Sequence, residues 1–275
     1  MPTIAATAEP ATDIHYCDRG TGQPVVLIHG WPLSHRMWEG QVNALVDAGY
    51  RCVAYDRRGF GLSGRPNGGY DYDTFASDLN DLLVSLDLRD VVLAGFSMGG
   101  GEVARYIGRY GTGRVAKTML LGSVTPFMLK TDDNPDGAPA EMFDGMVAQV
   151  KADRVGFFES FFKGFFDWTP GKGTPSDDVV AYHKQIAWFA SPQGTQECIT
   201  AFGKTDFRAN LAKFDIPTLI VHGDADIIVP IDISAKKAHA VIAGSRLEII
   251  PGAPHGFAAT HRERLNQLML DFLKS

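Results

Sequence analysis

The 275-residue chain carries 26 Lys+Arg against 32 Asp+Glu, a formal net charge of −6, and 45% of it is hydrophobic. That mild acidity argues against a nucleic-acid binder, which would show a basic stripe, and no stretch approaches the ~18 uninterrupted apolar residues of a membrane span. A chain of this length can bury roughly 70–75% of its unfolded surface without a disulfide or metal staple, so one domain is expected, and the unusual number is 30 glycines.

In chain order, the segment from Met1 to Pro10 has no basic start and no apolar run, so no signal peptide is expected. The run Asp13-Ile14-His15-Tyr16-Cys17 is partly polar and fits an edge strand. Val25–Ile28, Arg51–Tyr55, Val91–Ala94, Lys117–Leu121, Thr218–Val221 and Leu247–Ile250 are short and mostly continuously apolar. Such runs suit strands of a parallel sheet buried on both faces. Helical patterns fall between them: Met37, Trp38, Val42 and Leu45 before Gly49; Phe75, Leu79, Leu82, Leu83 and Leu86; a segment from Ser97 to about Gly111; and Leu265, Leu268, Met269, Phe272 and Leu273 from about His261. This alternation predicts an α/β fold, a mostly parallel sheet with helices on both faces. It is interrupted between about Pro126 and Phe207 by a Gly/Pro/Asp-rich stretch and then an aromatic helical one, read as an inserted helical cap over about residues 126–206, with the core at about 13–125 and 207–275. Cys17, Cys52 and Cys198 form no C-x-x-C pair and read as reduced thiols of a cytoplasmic protein.

One motif misleads. Gly59-Phe60-Gly61-Leu62-Ser63-Gly64 matches the dinucleotide pattern G-x-G-x-x-G after a strand, but a loop follows it, not a helix. About 20 residues on, where an acidic strand end is required, lies the middle of a helix near Val84. It is read as a tight glycine loop.

Gly95-Phe96-Ser97-Met98-Gly99 fits G-x-S-x-G between a strand and a helix. On such a turn the serine sits in strained backbone geometry, and the flanking glycines prevent clashes as the chain folds back. The turn aims the Ser97 hydroxyl from the top of the sheet beside the positive end of a helix. Serine needs a base. Of eight histidines, His255 lies in a loop after the last strand, where α/β sheets place active sites. His29 and His222 end apolar strands and read as structural, and His15, His35, His183, His239 and His261 as surface or helix residues. The base needs an acid, and Asp224 and Asp226 both follow the strand before; spacing does not separate them. The oxyanion requires donors, for which the backbone N–H of Met98 and that of Trp31, in His29-Gly30-Trp31-Pro32, are the candidates. Nine of the glycines, Gly30, Gly59, Gly61, Gly95, Gly99, Gly100, Gly223, Gly252 and Gly256, cluster in proposed strand-end loops near this site.

With these residues in view, the chain resembles an α/β-hydrolase from about residue 13 onward. More narrowly it resembles the bacterial arylesterases and cofactor-free (non-haem) haloperoxidases, or perhydrolases. The likeness rests on His29-Gly30-Trp31-Pro32-Leu33-Ser34, Asp56-Arg57-Arg58-Gly59-Phe60-Gly61-Leu62-Ser63, Gly95-Phe96-Ser97-Met98-Gly99-Gly100-Gly101-Glu102-Val103, Thr205-Asp206-Phe207 and Pro254-His255-Gly256. It implies that Asp226 is the triad acid, since the family's acid stands four residues before a proline, here Pro230, and that Asp224 is structural. It maps the oxyanion donors onto Trp31 and Met98, and Pro32 stands where members with marked perhydrolase activity carry proline. It also implies a homo-oligomer.

The resulting expectation is a serine carboxylesterase acting through an acyl-enzyme, with hydrogen peroxide as an alternative co-substrate that yields a peracid able to oxidise halides. No cofactor or metal is expected, and no H-E-x-x-H spacing occurs. The alternative is a related hydrolase of an amide, lactam, lactone or C–C bond, which the triad does not separate from an esterase. A complete Ser–Asp–His set argues against a non-catalytic module, and serine at the elbow argues against epoxide hydrolases and dehalogenases. In the cap, Phe158, Phe162 and Phe166 recur at i, i+4, as do Phe157, Phe161 and Phe165. One stripe is expected to pack on the core. Part of the other is expected to line an apolar acyl or aryl pocket, with Phe158, Phe162, Pro32, Phe127 and Trp188 as its candidate residues beside Trp31.

Overall fold

Most of the apolar runs become strands of one eight-stranded sheet in the computed structural model, which describes residues 2–172 and 175–275. The strands are β1 (Thr3–Ala6), β2 (Thr12–Arg19), β3 (Pro24–Ile28), β4 (Arg51–Tyr55), β5 (Val91–Phe96), β6 (Val115–Leu121), β7 (Thr218–Gly223) and β8 (Arg246–Ile250). Their order across the sheet is β1-β2-β4-β3-β5-β6-β7-β8. β1 and β2 pair antiparallel, β2 and β4 antiparallel, and all other neighbours parallel. Thus the Asp13–Cys17 run is not an edge strand: β1 lies outside it. β1 has only four residues, alternately exposed and buried, too short and too weakly patterned to announce itself.

The helices are α1 (Glu39–Asp47), α2 (Tyr72–Ser85), α3 (Met98–Tyr110), α4 (Ala140–Ala152), α5 (Arg154–Phe166), α6 (Asp177–Trp188), α7 (Pro192–Lys204), α8 (Arg208–Leu211), α9 (Ala235–Val241), α10 (Phe257–Thr260) and α11 (Arg262–Lys274). A 3-10 turn, His35–Trp38, leads into α1. β5 and β7 are buried at every residue. Successive strand side chains point to opposite faces, so helices must cover both. α1 packs against α11, while α2 packs on α3 and α3 on α8. Among the described residues between β6 and β7 no strand joins the sheet; the chain there builds α4 to α7, packed on one another, and then α8.

Charged residues are buried beneath the strand ends. Arg57 Nε donates to Glu102 Oε2 at 2.7 Å, and Tyr55 donates its hydroxyl to the other Glu102 oxygen. Arg57 Nη2 donates to the His29 carbonyl at 2.9 Å. Arg58 makes a bidentate pair with Asp78, at 2.6 and 2.7 Å. These bonds tie the end of β3, the loop after β4, α2 and α3 into one unit. Glu102 and Arg58 are completely buried and Arg57 nearly so. Replacing Glu102 by Ala leaves the Arg57 charge buried without its carboxylate. Urea unfolding at neutral pH is expected to show a loss of about 3–5 kcal/mol, and a loss under about 1 kcal/mol, the scale of an exposed pair, would contradict the assignment.

Candidate active site

Ser97 stands between β5 and α3 at φ 54° and ψ −117°, outside the ordinary helical and strand regions. Neighbouring backbone holds it there. Its N–H donates to the Leu121 carbonyl at 2.8 Å, and its own carbonyl accepts from Gly100 N at 3.0 Å. The turn requires glycine on both sides. A Cβ at Gly95 would run into the Gly99 carbonyl, and one at Gly99 into the Ile28 carbonyl at the end of β3.

The Ser97 hydroxyl donates to His255 Nε2 at 2.9 Å, and His255 Nδ1–H donates to Asp226 Oδ2 at 2.6 Å. The carboxylate can only accept, which sets the imidazole tautomer. All three residues are buried. Asp226 Oδ1 accepts from Ile228 N at 2.9 Å and Val229 N at 2.8 Å. Burial alone would raise its pKa, but the facing His255 and hydrogen bonds from His222 and His255 hold the carboxyl well below the usual carboxylate range. The geometry therefore separates the two aspartates. Asp224 points away, accepting from Gly252 N at 2.6 Å and so pinning the loop that carries His255. Helix α5 contributes here as well, because Gly256 N donates to the Phe165 carbonyl at 2.7 Å.

Among the described residues, neither Trp31 N–H nor Met98 N–H donates to a protein acceptor. Met98 opens α3, where the helix dipole favours negative charge. Trp31 is held on two sides: its indole Nε1 donates to the Thr195 carbonyl of α7 at 3.0 Å, and its ring meets Phe157, Phe158, Phe161 and Phe202 edge-on or tilted.

A cavity of about 410 Å³ opens over Ser97 and His255. Phe157 and Phe161 of α5, Phe143 of α4, Phe202 of α7 and the Ile227–Val229 segment line it, and among the described residues no Asp, Glu, Lys or Arg does. Pro32, Phe127, Phe158, Phe162 and Trp188 are not in its wall. Phe158 and Phe162 are completely buried in the core, and Phe127 lies beneath the Arg208 guanidinium at 5.1 Å. The cavity thus takes the neighbouring stripe of α5. The two stripes are one residue, about 100°, apart on the helix, and both are aromatic, so periodicity does not say which faces the core. A second cavity, of about 440 Å³, lies against Ser34, Arg36, Arg65, Tyr182 and Phe189 and contains none of Ser97, Asp226 and His255.

The other histidines are structural or peripheral. His29 donates from Nδ1 to the Gly30 carbonyl and accepts Arg57 N–H at Nε2; burial, with the Arg57 charge, pushes its pKa down to about 3. His222 donates from Nε2 to the Val229 carbonyl at 2.7 Å. His15 is buried and not on the surface. With His35 and Asp56 it forms the one metal-like triplet among the described residues, its ligand atoms within 4.8 Å of one another. Asp56 there already accepts from His35 N, His35 Nδ1 and Leu62 N, so the triplet functions as a hydrogen-bond knot between β2 and two loops. The Gly59–Gly64 stretch lies in one of those loops, with no helix until Tyr72.

The family model for the alpha/beta hydrolase fold matches residues 23–261. The chain belongs to the α/β-hydrolase family. This α/β hydrolase is 47% identical over 273 residues to a non-heme chloroperoxidase of Kitasatospora aureofaciens, covering 97% of this chain and 98% of that protein. It is 37% identical over 272 residues to a bifunctional esterase/perhydrolase of Acinetobacter calcoaceticus, covering 98% and 99%. The crystal structure of a bromoperoxidase from Bacillus anthracis superposes with a TM-score of 0.94 at 51% identity, with both chains covered completely.

Two outcomes follow for this hydrolase. Phe161→Ala enlarges the cavity and is expected to shift relative rates toward longer acyl chains in a p-nitrophenyl ester series, whereas Phe162→Ala removes core packing and should cost about 3–5 kcal/mol of stability. The reverse pattern would reassign the stripes. In addition, His29 stays neutral when folded down to about 3 but titrates near 6.5 when unfolded. Between those values the unfolded state binds the extra proton. Stability should therefore fall as pH falls, by about 1.4 kcal/mol per pH unit from this group; urea unfolding at about pH 7 and pH 5 measures it.

Proposed function

We propose that this chain is a serine carboxylesterase for aryl and short-chain esters that also performs perhydrolysis and, through the peracid, halide oxidation. The observation that carries the reading is the unbroken hydrogen-bond chain Ser97–His255–Asp226 at the floor of an apolar cavity. The esterase/perhydrolase and chloroperoxidase relatives support both halves of the activity.

Ser97 Oγ attacks the ester carbonyl while His255 Nε2 takes its proton. Asp226 steadies the imidazolium, an ionised carboxylate being available at every working pH because its pKa is depressed. The free N–H groups of Trp31 and Met98 receive the oxyanion. His255 then protonates the departing alcohol, leaving an acyl-enzyme. Water, deprotonated by His255, releases the acid; hydrogen peroxide in its place releases a peracid, which oxidises bromide or chloride in solution. Of the groups in the cavity wall, only His255 can carry a charge, which favours neutral apolar acyl and aryl groups. The helices from α4 to α7 act as a cap on a single domain. Three free thiols, two of them buried, support a reducing compartment and hence a cytoplasmic setting. Among the described residues no helix is long and apolar enough to cross a membrane.

The test is p-nitrophenyl acetate hydrolysis by the wild type and by Ser97→Ala, followed by bromination of a trapping dione with acetate, hydrogen peroxide and bromide. The variant is expected to lose activity by ~10³-fold or more. Undiminished hydrolysis in Ser97→Ala would remove the nucleophile assignment, and hydrolysis without acetate-dependent bromination would remove the perhydrolase half alone.

A further inference from the structure

The cavity wall contains three methionines. Met128, Met142 and Met146 line the chamber that Ser97 and His255 open into, and the chain has only eight. Met142 is 44% exposed, Met146 is half-buried, and Met128 is 4% exposed. Met98, Met119 and Met269 are sealed in the core, and none of the three cysteines lines the chamber. A thioether is a flexible, polarisable apolar group that oxygen-transfer reagents convert to a sulfoxide.

We propose that Met128, Met142 and Met146 are modification sites for the peracid formed at Ser97, and that their oxidation restrains the activity turnover by turnover. The inference rests on the perhydrolase reading above. A peracid released from the acyl-enzyme is confined for a moment to about 410 Å³, a local concentration on the order of 4 M by the logic of effective molarity. It meets the three sulfurs before it meets bulk halide. The sulfur lone pair attacks the terminal peroxy oxygen. The O–O bond breaks as the S–O bond forms, and the peroxy proton passes to the departing carboxylate. Sulfur is oxidised by two electrons, the peroxide oxygens are reduced, and the carboxylic acid is regenerated for another round with hydrogen peroxide. Each sulfoxide sets a strong dipole in an otherwise apolar wall, so apolar esters should bind less well and KM should rise. The modification is reversible in principle by sulfoxide reduction.

Burial makes the sites distinguishable. Oxidant in bulk solvent reaches Met142 first, whereas Met128 is reached through the chamber. The experiment incubates wild type and Ser97→Ala with acetate and hydrogen peroxide, wild type with peroxide alone, and Ser97→Ala with added peracetic acid at the concentration the wild type accumulates. Peracid is followed by bromination and methionine oxidation by peptide mass spectrometry. The expected result is one added oxygen on Met128, Met142 and Met146 in turning-over wild type, and oxidation confined largely to Met142 in the other three arms. The Met128→Leu/Met142→Leu/Met146→Leu variant, near-isosteric in volume, should complete several-fold more brominations before its initial rate halves. Peracid accumulation with Met128 and Met146 left reduced, or oxidised equally in Ser97→Ala given peracetic acid, overturns the inference while leaving the perhydrolase reading intact. No peracid from the wild type overturns both.

Discussion

The backbone of Ser97 is the constraint around which the molecule is built. Its torsions carry a cost of order 1–3 kcal/mol for an L-residue and persist because three strands over-determine them. β5 delivers the serine, the end of β6 takes its N–H, and the end of β3 lies so close that only glycine fits at position 99. In a relaxed loop the same hydroxyl would be free to solvate or rotate. Here it points to His255 Nε2, 2.9 Å away.

The same economy of freedom governs Trp31. Its backbone follows His29 and Gly30, which Arg57 and the neutral His29 ring hold from below. Its side chain is gripped from above by aromatic rings of α5 and α7 and by the Thr195 carbonyl. The core and the helices α5 and α7 therefore converge on Trp31, which lines the chamber. Helix α5 also reaches the loop that carries His255, through the Phe165 carbonyl and Gly256 N. The helices between β6 and β7 consequently hold both Trp31 and the loop that carries His255 in place. The surrounding apolar wall strengthens every charge interaction in the site.

How much of this was legible in the sequence follows from what each residue does. β3 to β7 could be read because strands largely buried on both faces are mostly apolar, β8 from Leu247, Ile249 and Ile250 although it is a half-exposed edge strand, and the Ser97 elbow because glycine is the one residue that tolerates those contacts. The choice between Asp224 and Asp226 could not be read from spacing, since both leave β7 within three residues; it depends on a turn whose N–H groups, at Ile228 and Val229, face Asp226. The aromatic stripes of α5 gave a pocket but named the wrong one, because a helix sandwiched between core and chamber has two apolar sides. Arg57, Glu102 and His15 were missed as buried residues because charge and polarity ordinarily mark the surface. The available signal was position: Arg57 directly follows an apolar strand, and Glu102 directly follows the glycine run at the start of α3.

The bond from Ser97 to His255 joins residues 158 apart in sequence, and that from His255 to Asp226 spans 29. Contacts this distant in sequence are slow to form, because chain closure must precede any reward. The N-terminal strands and α3 can assemble a helix-backed sheet while the nucleophile is still without its base. Only when β7 and β8 dock beside β6 does the imidazole arrive. During folding, circular dichroism and catalysis would thus keep different clocks: the first reports that the scaffold exists, the second that its last fifth has come home.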